Sequence, residues 1–135
     1  MKSITIPATV DQMQQILDLI NLDLTENDCS LQSEMQINIA VEELFVNICH
    51  YAYHPETGAA TVQWEVTGDP PCITIQFLDA GHPYNPLEKE DPDTTLSVED
   101  RNIGGLGVYL VKKTMDHMSY EYKDGRNTLT IQKTL

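Results

Sequence analysis

Two pairs of short segments with alternating apolar and polar residues constrain the fold most strongly. "AATVQWEVT" is joined to "CITIQFLDA" by the turn "GDPP", and "MSYEYK" is joined to "TLTIQK" by "DGRN". Alternation with a period of two is typical of strands that bury one face, and Asp124-Gly125 is a strong signal for a tight hairpin turn. The sequence therefore predicts two β-hairpins and a sheet that is mostly antiparallel.

Three other segments carry apolar residues at the spacing of an α-helix. The first follows a short strand, "KSITIPA", and Thr9 with Gln12 three residues later predicts a capping box at its start. The second helix runs from about residue 31 to residue 53, and the third follows a glycine cluster at 104–107. The apolar positions predicted for the first helix are Val10, Met13, Leu17, Ile20 and Leu24.

The predicted order of elements is β-α-α-β-β-α-β-β. Because helices and strands do not alternate regularly, this order indicates an α+β fold, a two-layer α/β sandwich with helices on one face of a mostly antiparallel sheet. A length of 135 residues is that of one ordinary domain, so residues 1–135 are predicted to form a single domain.

The charge of the chain excludes some classes of partner. It has 21 acidic and 8 basic residues, a net charge of −13. Such a chain repels phosphate backbones and anionic lipid surfaces, so neither nucleic acid nor a membrane is expected as a partner. A nucleotide could still bind through backbone N–H groups, a metal ion and the N-terminus of a helix.

The cysteines and the hydropathy pattern indicate the cellular compartment. Cys29, Cys49 and Cys72 are odd in number and include no C-x-x-C pair, so neither a disulfide framework nor a zinc site is predicted. No signal peptide is recognisable, and no apolar run approaches the roughly 18 residues that a membrane span needs. A cytoplasmic location is expected.

The long second helix carries a polar stripe. Glu43, Asn47, His50 and His54 are spaced four, three and four residues apart, opposite the apolar sector of the helix. A solvated helix face would account for this stripe. Alternatively, Glu43 could act as a base, and the Asn47 side-chain oxygen could ligate a hard cation one turn away.

A second polar motif, "FLDAGHPYNP", follows the second strand of the first hairpin. Asp-x-Gly-x-Pro is ordinary turn chemistry. The same residues could form the edge of a pocket, where Asp79 accepts a hydrogen bond from an exocyclic amine and Gly81 lets a flat ring approach the backbone.

The third motif is the glycine cluster in "NIGGLGVYLVKKTMD", which comes just before the third helix. It fits neither the P-loop pattern nor the dinucleotide fingerprint. Free N–H groups at a helix start, together with the helix dipole, suit a phosphate without any lysine. A loop that needs positive φ angles for close packing is the alternative.

In this order, Glu-x-x-x-Asn, Asp-x-Gly-x-Pro and Gly-x-Gly resemble the motifs of the GHKL ATPases, which share the histidine-kinase-like (Bergerat) ATP-binding fold. Within them the chain is most similar to the bacterial anti-sigma factor serine/threonine-protein kinases. The resemblance extends from about Ile4 to Leu135, including the ending "DGRNTLTIQK".

The resemblance implies a role for each matching residue. In "EELFVNICHYAY", Glu43 would be the catalytic base and Asn47 would ligate Mg²⁺ on the phosphates of ATP. In "DAGHP", Asp79 would bind the adenine amino group and Gly81 would make room for the ring. The positions that match phosphate or adenine contacts in the rest of the chain are Gly104, Gly105, Leu106, Gly107 and Thr130, the last through its hydroxyl and often by way of water.

Residues 84–103 would form the lid over ATP. The leading lid residue for a phosphate contact is Arg101, although a surface arginine that pairs with Asp100 is the simpler interpretation.

The resemblance also implies a function. The chain would be a Mg-ATP-dependent kinase that phosphorylates a STAS-type anti-sigma factor antagonist, sequesters a sigma factor and forms a homodimer. The alternative is a nucleotide-gated binding module without significant kinase activity. The catalytic domain of a histidine kinase acting alone is disfavoured, because no helix with a phosphoacceptor histidine precedes the fold in this sequence.

Overall fold

The computed structural model describes residues 1–88 and 106–135. Five strands and three α-helices lie in these ranges, in the predicted order. They are β1 (Lys2–Pro7), α1 (Met13–Glu26), α2 (Leu31–Asn47), β2 (Ala59–Thr67), β3 (Cys72–Asp79), α3 (Leu106–Thr114), β4 (His117–Lys123) and β5 (Arg126–Thr134). No helix within these ranges is both long enough and apolar enough to cross a bilayer.

The strands form one sheet in the order β1-β2-β3-β5-β4, and all neighbours are antiparallel. Both predicted hairpins are present. In the second one Asp124 and Gly125 have φ angles of 54° and 76°, the left-handed conformation that a two-residue hairpin turn requires. Because β3 and β5 are adjacent, Asp79 at the end of β3 lies opposite Asn127 near the start of β5.

One face of the sheet packs on the helices. Alternate strand residues such as Val62, Ile75, Phe77 and Ile131 are buried there, together with apolar residues of α1 and α2. The predicted α+β sandwich is confirmed.

On the other face of the sheet, several neutral polar side chains bond one another across the strands. Thr5 and Thr61 are joined through their hydroxyls at 2.8 Å, and Gln76 donates to the Thr130 hydroxyl at 3.3 Å. Thr130 therefore lies on the face away from the helices.

The start of α1 differs from the prediction. Thr9 has the extended backbone of an N-cap, but its side chain makes no cap bond. The Thr9 side chain is hydrogen-bonded to Asp11 instead, and this bond is the main reason that the pKa of Asp11 lies below its ordinary value. A 3-10 turn at Val10–Gln12 precedes α1, and it turns Val10 outward, where 49% of the residue is exposed. The predicted capping box and the core position of Val10 are therefore wrong.

The end of the second helix also has its own geometry. The α-helix ends at Asn47 and continues as a single π-helical turn, Ile48–Ala52. A π turn holds more residues than an α turn and so changes the direction of the side chains that follow. Glu43 and Asn47 are half-buried, whereas His50 and His54 are exposed, so the predicted four-residue stripe does not continue past Asn47.

Candidate functional site

A pocket lies where the last turn of α2 meets the ends of β3 and β5. It holds about 410 Å³ of space outside atoms, a figure that includes its open mouth. Asn47 contributes to one wall, and Asp79 and Asn127 contribute to the other. The pocket thus brings together residues from two of the three sequence motifs and one residue that the motifs did not include.

Two tyrosines add aromatic surface to the pocket. Tyr51 comes from the π turn and Tyr84 from the segment after β3, and both line the cavity. Their ring centroids are 5.8 Å apart, with an angle of 32° between the ring planes. Such a pair offers an apolar face against which a flat heterocycle can pack.

Asp79 is the acidic group of the pocket, and only 7% of it is exposed. Its Oδ1 accepts a hydrogen bond from the Gly81 N–H at 2.9 Å and another from Asn127 Nδ2 at 2.9 Å. Both donors are neutral, so the carboxylate is held in place without a salt bridge from either of them.

Gly81 allows the loop after β3 to touch the π turn. A Cβ at this position would overlap the backbone carbonyl of Ala52, and the same carbonyl accepts the His82 N–H at 2.7 Å. The missing side chain is therefore needed for contact with the chain's own backbone. Whether it also gives an adenine ring room stays a prediction.

Asn127 is a buried pocket residue that the three sequence motifs do not include. It is 5% exposed, and its Nδ2 donates to Asp79 Oδ1 and to the His82 carbonyl, both at 2.9 Å. The available signal was the alternation within β5, because Asn127 has the same parity as the buried Leu129 and Ile131. Residues of one parity share one face of a strand.

By the same alternation the structure does not bring Thr130 to the pocket. Thr130 pairs with Gln76 on the opposite face of the sheet. The position of β5 that faces Asp79 across the ladder is occupied by Asn127, not by Thr130.

Tyr120 of β4 completes the polar cluster. Its hydroxyl donates to Asn127 Oδ1 and accepts the Tyr84 N–H at 3.2 Å. Burial, reinforced by the nearby Asp79 charge, raises the pKa of this phenol above its usual value of 10.0. The hydroxyl therefore keeps its proton at neutral pH and remains a donor.

Glu43 lies against the first turn of α3. A Cβ on Gly107 would overlap the Glu43 carboxylate, so this glycine permits the close approach of the two helices. The first turn of a helix has N–H groups without intrahelical partners and a partial positive charge. Glu43 thus stands beside a helix start that can receive an anion.

Leu106 is the first residue of α3, and Gly107 is the second. The other predicted phosphate residues, Arg101, Gly104 and Gly105, lie outside the described residues, as does most of the predicted lid at 84–103.

Asn47 is one turn from Glu43 and half-buried. Its Nδ2 is buried and has no hydrogen-bond partner among the described residues. Buried side-chain amides nearly always have partners, so an amide left without one at a pocket wall fits a group that binds a ligand.

Comparisons with known proteins identify relatives of this chain. The family model described as "Histidine kinase-like ATPase domain" matches residues 6–133. Serine/threonine-protein kinase BtrW of Bordetella bronchiseptica is 26% identical over 102 residues, which cover 76% of this chain and 71% of that protein. An anti-sigma F factor of Thermoanaerobacter sp. is 27% identical over 103 residues, covering 76% and 70% of the two chains.

These matches confirm the resemblance inferred from the three motifs. The family model covers nearly the whole chain, from Ile6 in β1 to Lys133 in β5. The chain belongs to the histidine kinase-like ATPase domain family.

Proposed function

We propose that this chain is a Mg-ATP-dependent serine/threonine kinase that phosphorylates a STAS-type anti-sigma factor antagonist and also acts as an anti-sigma factor. Membership of the family implies ATP binding, and the relatives named as a kinase and as an anti-sigma factor support the two activities. The observation that carries the proposal is the position of the Glu43 carboxylate, directly against Gly107 in the first turn of α3.

The pocket and the first turn of α3 would bind different parts of ATP. Asp79 accepts a hydrogen bond from the adenine amino group, and the rings of Tyr51 and Tyr84 pack against the base. The N–H groups at the start of α3, at Leu106 and Gly107, receive phosphate oxygens. The base and the phosphates thereby lie at opposite ends of the site.

Glu43 acts at the phosphate end. It takes the proton from the attacking serine or threonine hydroxyl, whose oxygen forms a bond to the γ-phosphorus while the bond from that phosphorus to the β–γ bridging oxygen breaks and ADP leaves. Positioning and neutralisation of charge supply most of the catalysis in phosphoryl transfer. The α3 N-terminus contributes to both beside Glu43.

The residues present fit a magnesium ion at Asn47. Among the described residues no cluster of three or more His, Cys, Asp or Glu could hold a metal. Mg²⁺ commonly uses one or two protein oxygens and completes its shell with substrate phosphates and water. The Asn47 side-chain oxygen would be the protein ligand, and the ion would neutralise the charge of the polyphosphate.

Transfer of labelled phosphate tests the kinase activity. The protein is incubated with γ-labelled ATP, magnesium and its cognate STAS protein, and label on the STAS protein is followed. We expect Glu43→Gln to reduce the transfer rate by about a hundredfold to ten-thousandfold, the range typical of a general base, while ATP affinity is retained. Glu42→Gln is the matched control, since its side chain is the exposed neighbour.

A second variant tests the contact that carries the proposal. Gly107→Ala should displace the Glu43 carboxylate, because the added methyl group occupies its place. The transfer rate should fall while the fold is kept, since the displaced atoms are the end of a flexible side chain. Transfer that survives Glu43→Gln undiminished would contradict the kinase. Partner binding that depends on nucleotide in a chain without transfer would favour the nucleotide-gated module.

The homodimer and the cytoplasmic location belong to the same proposal. The homodimer rests on the resemblance, and the location rests on the cysteine and hydropathy patterns of the sequence. Sedimentation equilibrium of the full chain with and without Mg-ATP tests the dimer. A mass of about twice 15.2 kDa is expected, and a mass of one chain at micromolar concentration would contradict it.

A further inference from the structure

We propose that Asn127 is a positioning residue that fixes Asp79 for recognition of an amino-substituted purine. It holds Oδ1 of Asp79 so that Oδ2 is left for the exocyclic amine of the base. This inference rests on the proposed nucleotide site and assigns the determinant of its base specificity. It involves a side chain that belongs to none of the three polar motifs, although it lies in the ending "DGRNTLTIQK".

The orientation of the Asn127 amide is determined by its neighbours. Its Oδ1 accepts from the Tyr84 N–H at 3.2 Å and from the Tyr120 hydroxyl. Its Nδ2 donates to Asp79 Oδ1 and to the His82 carbonyl, both at 2.9 Å, and lies 3.5 Å from the Gly81 carbonyl. Rotation of the amide by half a turn would set donors against donors and oxygen against a carboxylate, so only one orientation satisfies all four groups.

In that orientation Asn127 has no hydrogen-bonding capacity left for a ligand. Both protons of Nδ2 and both lone-pair directions of Oδ1 are used within the cluster. Asn127 therefore lines the pocket without offering a contact to the base, and its effect on a ligand passes through Asp79.

As a result, the two carboxylate oxygens of Asp79 have different surroundings. Among the described residues both hydrogen bonds to this carboxylate end on Oδ1, one from Gly81 and one from Asn127. With Oδ1 fully engaged and Asp79 at the pocket wall, Oδ2 is the acceptor available to a ligand. A carboxylate oxygen attracts the amino group at C6 of adenine and repels the carbonyl at C6 of guanine.

A pair of nucleotides isolates this contact. ATP carries the C6 amino group, and purine riboside triphosphate carries hydrogen in its place, so the ratio of their affinities measures the hydrogen bond to Asp79. A hydrogen bond to a charged group is worth about tenfold to a hundredfold in affinity, and the wild-type chain should show a preference of that order for ATP.

Asn127→Ala removes the donor that holds Oδ1. We expect the preference for ATP to fall to about threefold or less, because the preference comes from the hydrogen bond between Asp79 and the C6 amino group. The affinity for purine riboside triphosphate should stay within about twofold of wild type, because this nucleotide does not make that hydrogen bond. Thr128→Ala is the matched control, since Thr128 is the next residue of β5 and its side chain is on the opposite face. It should leave both affinities unchanged.

Tyr120→Phe supplies a milder variant in case Asn127→Ala does not fold. It removes one of the two donors to Asn127 Oδ1 and leaves the Tyr84 N–H in place. The ATP preference should fall to a value between those of wild type and Asn127→Ala, again without a change in the affinity for purine riboside triphosphate.

The outcomes separate this inference from the proposed function. A wild-type chain that binds neither nucleotide overturns both. A wild-type chain that prefers ATP, combined with variants that keep the preference, overturns only the role of Asn127. Equal weakening of both nucleotides by Asn127→Ala indicates a purely structural asparagine and likewise overturns the inference.

Discussion

Two buried aspartates, Asp23 and Asp79, lie on the helix-packed side of the sheet, and each is 7% exposed. Their surroundings differ. Asp23, in the last turn of α1, bonds Lys2 Nζ at 2.5 Å and accepts from Trp64 Nε1 at 2.7 Å. Asp79 is held by the neutral donors of Gly81 and Asn127 and borders the pocket.

The difference shows that the same residue type is paired with a cation at one site and is held by neutral donors at the edge of a pocket at the other. Burial disfavours the charged form of Asp23, but the hydrogen bonds from Lys2 and Trp64 outweigh it, and the pKa of Asp23 lies below its ordinary value. Asp23 therefore has its counter-charge within the chain. Asp79 has no cation among its hydrogen-bond partners in the described ranges, so its negative charge remains directed at the pocket.

Replacement of Asp79 by asparagine should give the largest effect on binding. The new side chain keeps one acceptor oxygen for Gly81 and Asn127, and it presents an NH₂ donor to the pocket in place of Oδ2. ATP affinity should fall by about tenfold to a hundredfold, measured by titration calorimetry, with little change in the free energy of unfolding. Undiminished ATP affinity would remove the distinction between the two aspartates.

Replacement of Asp23 by alanine should give the opposite result. It leaves the buried Trp64 N–H without an acceptor, so the free energy of unfolding should fall by about 1 to 3 kcal/mol, while ATP affinity is unchanged. Urea unfolding followed by tryptophan fluorescence measures this change. The signal comes from Trp64, because the chain has 1 tryptophan. A loss of ATP affinity in a folded Asp23→Ala chain would contradict the purely structural role.

Lowering the pH should reduce the contribution of the Lys2–Asp23 ion pair to the free energy of unfolding, an effect smaller than those of the two substitutions above. A carboxyl group whose pKa is lowered by folding adds stability that is present above its unfolded pKa, about 4, and that is lost as the pH falls through the lower folded value. The difference in unfolding free energy between wild type and Asp23→Asn should therefore shrink as the pH is lowered from about 7 to about 3.

This difference isolates Asp23 from the other carboxylates that respond to acid. The pKa of Asp116 is also lowered, chiefly by the Thr134 N–H, but Asp116 is common to both proteins and its contribution cancels. Urea unfolding at several pH values makes the measurement. A difference that is constant over the whole range would show that the Lys2–Asp23 pair does not contribute through its charge.

The elements of the fold could be predicted because their signals are local. Alternation of apolar residues marked the strands, and Asp124-Gly125 marked a hairpin turn that only a left-handed backbone can make. The start of α1 was predicted wrongly because Thr9 has a nearby competitor: its hydroxyl bonds Asp11 and not the helix backbone. Short polar side chains often have such alternatives.

Some residues of the candidate site could likewise be predicted from local signals, and others could not. Glu43, Asn47 and Asp79 could be selected from the sequence, because each belongs to a motif of a few residues whose chemistry is recognisable. Gly107 could be selected only as one of a group of glycines, and its contact with Glu43 depends on how α3 packs against α2. Thr130 belongs to β5, which borders the pocket, but its side chain points to the other face of the sheet.

The sequence by itself determined the order of elements, the antiparallel hairpins, the family and three residues of the candidate site, since periodicity and short motifs are properties of neighbours along the chain. Only the tertiary structure decided the partners of the two buried aspartates. Trp64 is 41 residues from Asp23, and Asn127 is 48 residues from Asp79. Such pairs exist because strand order and register bring distant residues together, and no local pattern encodes which residue lies opposite which.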